Sequence, residues 1–102
     1  MGLLDALFGG GGNQAKELLD KGAVVIDVRT PAEFAGGHVK GSKNIPLQTI
    51  QSKVNDIKKL NKPVVACCAS GMRSGQATDI LQRAGIEAVN GGPWTKVNSL
   101  VG

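Results

Sequence analysis

Two adjacent cysteines, Cys67 and Cys68, are the only thiols in the 102 residues of the chain. They follow a short apolar run, and the four residues "ASGM" separate them from Arg73. A turn of small residues that leads from a strand into a helix directs successive backbone N–H groups into one concavity that binds anions. A cysteine that faces such a concavity has a lowered pKa and becomes a nucleophilic thiolate near neutral pH. The alternative is a small buried cysteine at the end of a strand, the usual state of a free thiol.

Strand periodicity predicts different surroundings for the two thiols. Cys67 is predicted to end a strand that is covered on both faces, where burial raises the pKa of the thiol and leaves it inert. Cys68 is predicted to be the first residue beyond that strand and to face the amide groups of the loop. Cys68 is therefore the candidate nucleophile. Arg73 is a candidate anion-binding residue, although an arginine that opens a helix can instead pair with a carboxylate.

Strand-like and helix-like segments alternate along the chain. Apolar and β-branched runs predict strands at 23–28, 43–46, 62–67 and 86–89. Apolar residues at helical spacing predict helices at 14–21, 47–60, 74–84 and 94–100. The alternation predicts an α/β protein with a mostly parallel sheet flanked by helices on both faces. Ligands of such sheets bind at the carboxyl ends of the strands, where the cysteine pair lies.

Several helix ends carry recognisable signals. Asn13 is the predicted N-cap of the first helix, and Gly22 and Gly85 are predicted to end the helices that precede them. Thr30 and Glu33 have the spacing of a capping box, which predicts that a further helix starts there. These signals set the element boundaries on either side of the candidate site.

Composition narrows the classes of function. The formal net charge of +4 is mild, and apolar residues interrupt the lysines at 53–62, which indicates a solvated helix face rather than a nucleic-acid surface. No stretch has the length and apolarity of a membrane span. Adjacent free thiols fit a reducing compartment, so we expect a cytoplasmic protein, and we expect a monomer. Residues 1–12 are predicted to be an apolar, glycine-rich extension of a single domain at 13–102.

Four motifs together resemble the rhodanese family of sulfurtransferases. The family's active-site pattern C-x-x-G-x-R appears as Cys68, Gly71 and Arg73. "DVRTPAEF" at 27–34, "GHVKGSKNIP" at 37–46 and "NGG" at 90–92 are similar to three further family segments. The similarity runs over about residues 14 to 100 in the family's order and spacing. It implies the rhodanese-like fold, with four to five strands, and a catalytic Cys68 that carries a persulfide without a metal or an organic cofactor.

The resemblance also implies the substrates and the surroundings of Cys68. A small-molecule donor such as thiosulfate supplies the sulfur, and cyanide or a thiol accepts it. Asp27 and Arg29 lie on the same rim as the loop, where they either orient the loop or form an ion-pair network with Glu33. His38 belongs to a turn away from the cysteine and is not expected to act as a base. The persulfide-binding loop is expected to comprise Ala69, Ser70, Gly71, Met72, Arg73 and Ser74.

Two other functions stay open. The chain can be a persulfide carrier or regulatory module whose donor or acceptor is a protein partner. Phosphatases of the same fold carry C-x5-R, whereas four residues separate Cys68 from Arg73, and this shorter spacing favours sulfur over phosphate. The chain also departs from the family pattern at Lys40 and Ser42, in the short spacing between the glycine pair and Trp94, and in "FGGGG", which replaces the usual first strand.

Overall fold

The computed structural model describes residues 10–101 of the chain, with side chains from residue 14 onward. The predicted extension at 1–12 lies largely outside these residues, and its boundary with the domain stays a prediction. No helix within residues 10–101 is long and apolar enough to cross a membrane. In chain order the elements are α1 (Gly10–Asp20), β1 (Val24–Asp27), α2 (Pro31–Ala35), β2 (Lys43–Asn44), α3 (Leu47–Lys59), β3 (Val64–Cys68), α4 (Met72–Arg83), β4 (Ala88–Pro93) and α5 (Trp94–Val101).

The four described strands form one parallel sheet in the order β2–β1–β3–β4. All five residues of β3, a central strand, are buried, as expected for a β-branched run covered on both faces. The α/β class and the predicted sheet of four to five strands are confirmed. Because the strands are parallel, their carboxyl ends meet at one edge, where β1 ends at Asp27 and β3 ends at Cys68.

Side chains alternate along β3 between two separate cores. Val64 and Cys68 point to the core covered by α3 and α4. Val65 and Cys67 point to the opposite core, covered by α1 and α5. The two adjacent thiols therefore lie on opposite faces of the sheet. The buried helix residues that cover these cores are Ile50, Val54, Ile57, Ala77 and Leu81 on the first face and Ala15, Leu18 and Val97 on the second.

Three helix ends form as predicted. The Thr30 side chain accepts a hydrogen bond from Glu33 N, and the Glu33 side chain accepts one from Thr30 N, which completes the capping box of α2. Gly22 and Gly85 follow α1 and α4 with φ of +92° and +87°. Glycine adopts this left-handed conformation without strain, and it ends both helices.

The predicted N-cap of α1 is wrong. The helix begins at Gly10, so Asn13 lies inside it rather than at its start. Glycine costs about 1 kcal/mol relative to alanine within a helix, which disfavours a helical turn but does not forbid one. Burial of Ala15 and Leu18 in the second core stabilises α1 through packing and outweighs this preference.

The structure also corrects the ends of β3 and β4. The sequence predicts that β3 ends at Cys67 and that "NGG" is a turn, whereas β3 includes Cys68, which pairs with Pro93 of β4. The pairing register shifts between Ala66 and Cys67, and Gly91 is the extra residue of the resulting β-bulge. The bulge lets β4 continue beyond the predicted turn, and the continued pairing extends β3 by one residue.

The start of α4 differs from the prediction by two residues. The helix begins at Met72 instead of Ser74, so Met72 and Arg73 belong to its first turn rather than to the loop. Gly71 is the N-cap and has φ of +103°, a conformation that residues with a Cβ rarely adopt. The loop that follows Cys68 is therefore a tight turn at a helix N-terminus.

Gly91 is enclosed by side chains from β3 and α5. A Cβ atom at this position would lie 2.6 Å from Val97 Cγ2 and 2.8 Å from Val65 Cγ1. We expect Gly91→Ala to lower the free energy of unfolding by about 2 kcal/mol, as overpacking does, in a urea denaturation series. Gly36→Ala is the control, because its nearest contact would be Glu33 O at 3.5 Å. Equal losses of stability in the two variants would contradict the packing argument.

Candidate active site

Cys68 Sγ lies at the carboxyl end of β3 among hydrogen-bond donors. It accepts hydrogen bonds from Gly71 N at 3.0 Å, Ser74 N at 3.4 Å and Ser74 Oγ at 3.3 Å. Burial raises the pKa of this thiol, while the Ser74 hydroxyl and the backbone N–H groups of Ser74, Gly71 and Ser70 lower it. The donors prevail, and the pKa of Cys68 is lowered from its ordinary value. The geometry suits a thiolate nucleophile.

Cys67 has the opposite electrostatic surroundings. Its side chain is fully buried in the second core, and burial, reinforced by the negative charge of Asp27, raises the pKa of the thiol to about 12. The positive charge of Arg29 opposes this effect without cancelling it. Cys67 is therefore a neutral thiol near neutral pH, which confirms its predicted burial and raised pKa.

The six predicted loop residues divide by where they face. Gly71 and Ser74 donate to Cys68 Sγ, whereas Ala69 and Ser70 are exposed and Met72 is 75% exposed. The loop leads directly into the 12-residue helix α4, whose N-terminus carries the positive end of the helix dipole. Backbone N–H groups and the Ser74 hydroxyl therefore face the sulfur, while the side chains of Ala69, Ser70 and Met72 face solvent.

Arg73 is paired with a carboxylate. Its Nη1 and Nη2 lie 2.8 Å from Oε1 and 3.0 Å from Oε2 of Glu33, a bidentate ion pair that joins α4 to α2. The guanidinium of Arg73, with help from the N–H of Thr30, lowers the pKa of Glu33 to about 2. Of the two alternatives that the sequence left open for Arg73, the structure shows the carboxylate pair. This pair fixes the first turn of α4 next to Cys68.

Asp27 and Arg29 form a buried ion pair on the face that holds Cys67. Arg29 Nη2 lies 2.7 Å from Asp27 Oδ2, and Nε lies 2.9 Å from Asp27 Oδ1. Arg29 also donates to the Gly37 carbonyl at 2.7 Å, and its guanidinium lies 5.0 Å from the ring centroid of Trp94. The expected ion pair is present, but the network with Glu33 is wrong, because Arg29 hydrogen-bonds to Asp27 and Gly37 instead. Both side chains support the fold beneath the site rather than contacting the sulfur.

The His38 side chain makes structural contacts with Phe34. Its ring stacks on Phe34 with 3.7 Å between centroids, and Nδ1 lies 2.7 Å from the Phe34 carbonyl oxygen, to which it donates. Within the part of the chain that the structure describes, no group of three His, Cys, Asp or Glu side chains could hold a metal ion.

Asn90 is the site residue that sequence reasoning missed. Its Nδ2 donates to Gly71 O at 3.0 Å, and its Oδ1 accepts from Ser74 Oγ at 2.7 Å and from Gly92 N at 2.9 Å. Asn90 thus contacts Gly71 and Ser74, which both donate to Cys68 Sγ. The available signal was a side-chain amide at the carboxyl end of a strand, where ligands of parallel sheets bind.

An open cleft of about 470 Å³ lies at the other end of the sheet. Lys58, Lys62 and Glu87 are among its lining residues, and both cysteines lie outside it. The cleft therefore offers charged side chains but no thiol nucleophile. Among the described residues, the groups that suit covalent chemistry lie around Cys68.

The chain is similar to known proteins in both sequence and fold. The family model for the rhodanese-like domain matches residues 12–93. Uncharacterized protein YqhL of Bacillus subtilis is 44% identical over 63 residues, which cover 62% of this chain and 49% of that protein. Thiosulfate sulfurtransferase GlpE of Ectopseudomonas mendocina is 34% identical over 76 residues, which cover 74% of this chain and 69% of GlpE. The chain thus spans about half the length of the first relative and about two thirds of the second.

The crystal structure of a rhodanese-like domain protein from Staphylococcus aureus is similar to this fold, with a TM-score of 0.68. It is 32% identical in sequence, and the match covers 82% of this chain and 86% of that chain. The family model, the sheet order and the C-x-x-G-x-R loop around a hydrogen-bonded cysteine lead to the same conclusion. The chain belongs to the rhodanese-like domain family.

Proposed function

We propose that the protein is a sulfurtransferase that moves a sulfane sulfur through a persulfide on Cys68. The hydrogen-bonded sulfur carries this proposal, because Cys68 Sγ accepts bonds from Gly71 and Ser74 at the N-terminus of α4. Such donors stabilise negative charge on sulfur in the free thiolate and in the persulfide alike. The relative named thiosulfate sulfurtransferase supports the same chemistry.

The reaction consists of two displacements at sulfur. The Cys68 thiolate attacks the outer sulfur of thiosulfate, a new S–S bond forms, and sulfite leaves with the electron pair of the bond that breaks. The enzyme is then a persulfide anion, Cys–S–S⁻. A thiolate or cyanide attacks the outer sulfur, and the Cys68 thiolate leaves. Electrons balance within each step, so the cycle needs no external oxidant or reductant.

The loop supports the persulfide in this scheme. The outer sulfur lies among the N–H groups of Ala69 to Ser74, which lead into the positive end of the α4 dipole. Arg73 contributes through its ion pair with Glu33, which holds the first turn of α4 in place. Arg73 is thus proposed as a positioning residue of the loop rather than as a free anion receptor.

Intact-protein mass spectrometry after incubation with thiosulfate tests the proposal. We expect a mass increase of one sulfur atom, which cyanide removes with release of thiocyanate. The absence of any adduct with thiosulfate or other sulfane donors would contradict the persulfide mechanism.

A specific observation favours a second function, that of a persulfide carrier that exchanges sulfur with a protein partner. The exposed side chains of the loop are uncharged, and Met72 is 75% exposed. Arg73 and Arg29 are both neutralised by carboxylates. Neither arginine therefore offers an unpaired positive charge to a small dianion, whereas an exposed apolar side chain suits a larger, less charged partner. Reduced free thiols in a cytoplasmic setting fit both functions.

A charge substitution at Met72 separates the two functions. We expect Met72→Lys to lower the KM for thiosulfate about threefold, because one positive charge near the loop attracts the dianion. Steady-state thiocyanate release at low ionic strength measures the change, and Met72→Gln is the uncharged control of similar length. Efficient turnover at low KM in the unmodified protein, with no response to Met72→Lys, would contradict the carrier function.

A further inference from the structure

The side chain of Asn90 joins the two ends of the sulfur-binding loop. Its Nδ2 donates to Gly71 O at 3.0 Å, and its Oδ1 accepts from Ser74 Oγ at 2.7 Å. Its Oδ1 also accepts from Gly92 N at 2.9 Å, within its own strand. Gly71 and Ser74 supply three hydrogen bonds to Cys68 Sγ. One residue of β4 thus contacts both donors from outside the loop.

Two local features make room for this amide. The β-bulge at Gly91 follows Asn90 directly, at the point where the pairing with β3 shifts register. Gly75 is the fourth residue of α4 and has no side chain. A Cβ atom at this position would lie 3.2 Å from Asn90 Nδ2. The space between α4 and β4 is therefore matched to the carboxamide.

The contact with Gly71 fixes a backbone conformation that only glycine adopts readily. Gly71 has φ of +103°, and its N–H lies 3.0 Å from Cys68 Sγ. Its carbonyl belongs to the next peptide group, and this oxygen accepts hydrogen bonds from Asn90 Nδ2 and from Gly75 N, each at 3.0 Å. Because the peptide groups on both sides of Gly71 are hydrogen-bonded, the N–H keeps its direction toward the sulfur.

The contact with Ser74 gives one hydroxyl proton two acceptors. Ser74 Oγ lies 2.7 Å from Asn90 Oδ1 and 3.3 Å from Cys68 Sγ, and a hydroxyl donates a single hydrogen bond. The short contact with Asn90 Oδ1 holds the Ser74 side chain in the rotamer that places its Oγ beside Cys68 Sγ. Asn90 Oδ1 is itself held by its bond from Gly92 N.

We propose that Asn90 is a positioning residue that holds the Gly71 N–H and the Ser74 side chain beside Cys68 Sγ. The role rests on the proposed function in that the anionic sulfur is the reactive species. Asn90 acts through its two neighbours and makes no contact with the sulfur. This role involves hydrogen bonds alone, and no covalent bond forms or breaks.

The rate of alkylation of Cys68 by iodoacetamide, followed by mass spectrometry across pH, tests this role without a sulfur donor. We expect Asn90→Ala to slow alkylation about three- to tenfold near pH 6.5, because hydrogen bonds to the anion are weakened. The charged groups around Cys68 are Arg73 with Glu33 and Arg29 with Asp27, and Asn90 hydrogen-bonds to none of them among residues 14–101. The pH profile therefore moves to higher pH without a change in these pairs.

Two further variants separate positioning from a general loss of structure. Asn90→Asp places a carboxylate against Ser74 Oγ and Gly71 O, so we expect slower alkylation than in Asn90→Ala. A Ser74→Ala, Asn90→Ala double variant is expected to lose less than the product of the single losses, because the two residues act through one hydrogen bond. Asn98→Ala, an exposed asparagine on α5, is the matched control.

Wild-type alkylation rates in Asn90→Ala and Asn90→Asp would overturn the proposal, as would fully multiplicative losses in the double variant. A purely structural role would lower the thermal midpoint in all Asn90 variants. It would leave the pH profile of Cys68 alkylation in the folded protein unchanged. If the wild-type protein forms no persulfide but the alkylation pattern is as expected, the proposed function is wrong and the role of Asn90 stands.

Discussion

Cys68→Ser is expected to abolish both the sulfur adduct and sulfur transfer, whereas Cys67→Ala keeps most of the activity. Cys68 Sγ is held by donors that favour the thiolate, and a serine hydroxyl in its place stays protonated near neutral pH. Cys67 lies in the opposite core with its pKa raised to about 12, so it supplies no thiolate. Replacing it by alanine removes one buried sulfur atom, which costs about 1 kcal/mol of stability.

Thiocyanate release and intact mass measure the two cysteine variants, and alkylation order supplies an independent readout. Iodoacetamide near pH 6.5 should alkylate Cys68 first. After pretreatment with thiosulfate, iodoacetamide should instead alkylate the outer sulfur of the Cys68 persulfide. If Cys67 is labelled first, or if Cys67→Ala is as inactive as Cys68→Ser, the chemistry needs both thiols and the assignment is wrong.

Asp27→Asn is expected to give the largest loss of stability among single polar substitutions near the site. Asp27 is fully buried, and Arg29 is 5% exposed. Removing the carboxylate charge leaves the guanidinium buried without its counter-ion, which typically costs about 3 to 5 kcal/mol. Urea denaturation should therefore show a strongly lowered midpoint, if the variant folds at all.

The exposed pair Arg83–Asp79 provides the control for Asp27→Asn. Its side chains are 80% and 57% exposed, and Asp79→Asn should change stability by less than about 0.5 kcal/mol. An Asp27→Asn, Arg29→Met double variant should recover part of the loss, because it removes the unpaired charge. Equal losses of stability in Asp27→Asn and Asp79→Asn would show that burial does not decide the strength of the Asp27–Arg29 pair.

Local signals in the sequence predicted much of the fold. The β-branched run of β3 and the amphipathic spacing of α3 depend on neighbouring residues, so the parallel sheet between helix layers followed from pattern alone. The capping box at Thr30 and the glycine ends at Gly22 and Gly85 are equally local. Different surroundings for Cys67 and Cys68 were predicted by placing Cys68 beyond the strand, whereas the structure separates the two thiols by the alternation of side chains within β3.

Features that depend on pairing between distant segments escaped prediction. Arg73 and Glu33 are 40 residues apart in the chain, and no local pattern identifies them as partners. The bulge at Gly91, which extends β3 to Cys68, arises from the register between β3 and β4. The role of Asn90 depends on that same register and on the space beside Gly75. This space is set by the packing of α4 against β4, which no local pattern indicates.

The alternation of β3 has a consequence for how the protein survives oxidation. Successive side chains of a strand point to opposite faces, so Cys67 cannot approach Cys68 closely enough to form a vicinal disulfide without breaking the strand. Cys67 and Cys68 are the only cysteines in these 102 residues, so a sulfenic acid on Cys68 has no resolving thiol among them. Recovery from peroxide must therefore come from an external thiol, and the first product of that rescue is a mixed disulfide with the rescuing molecule.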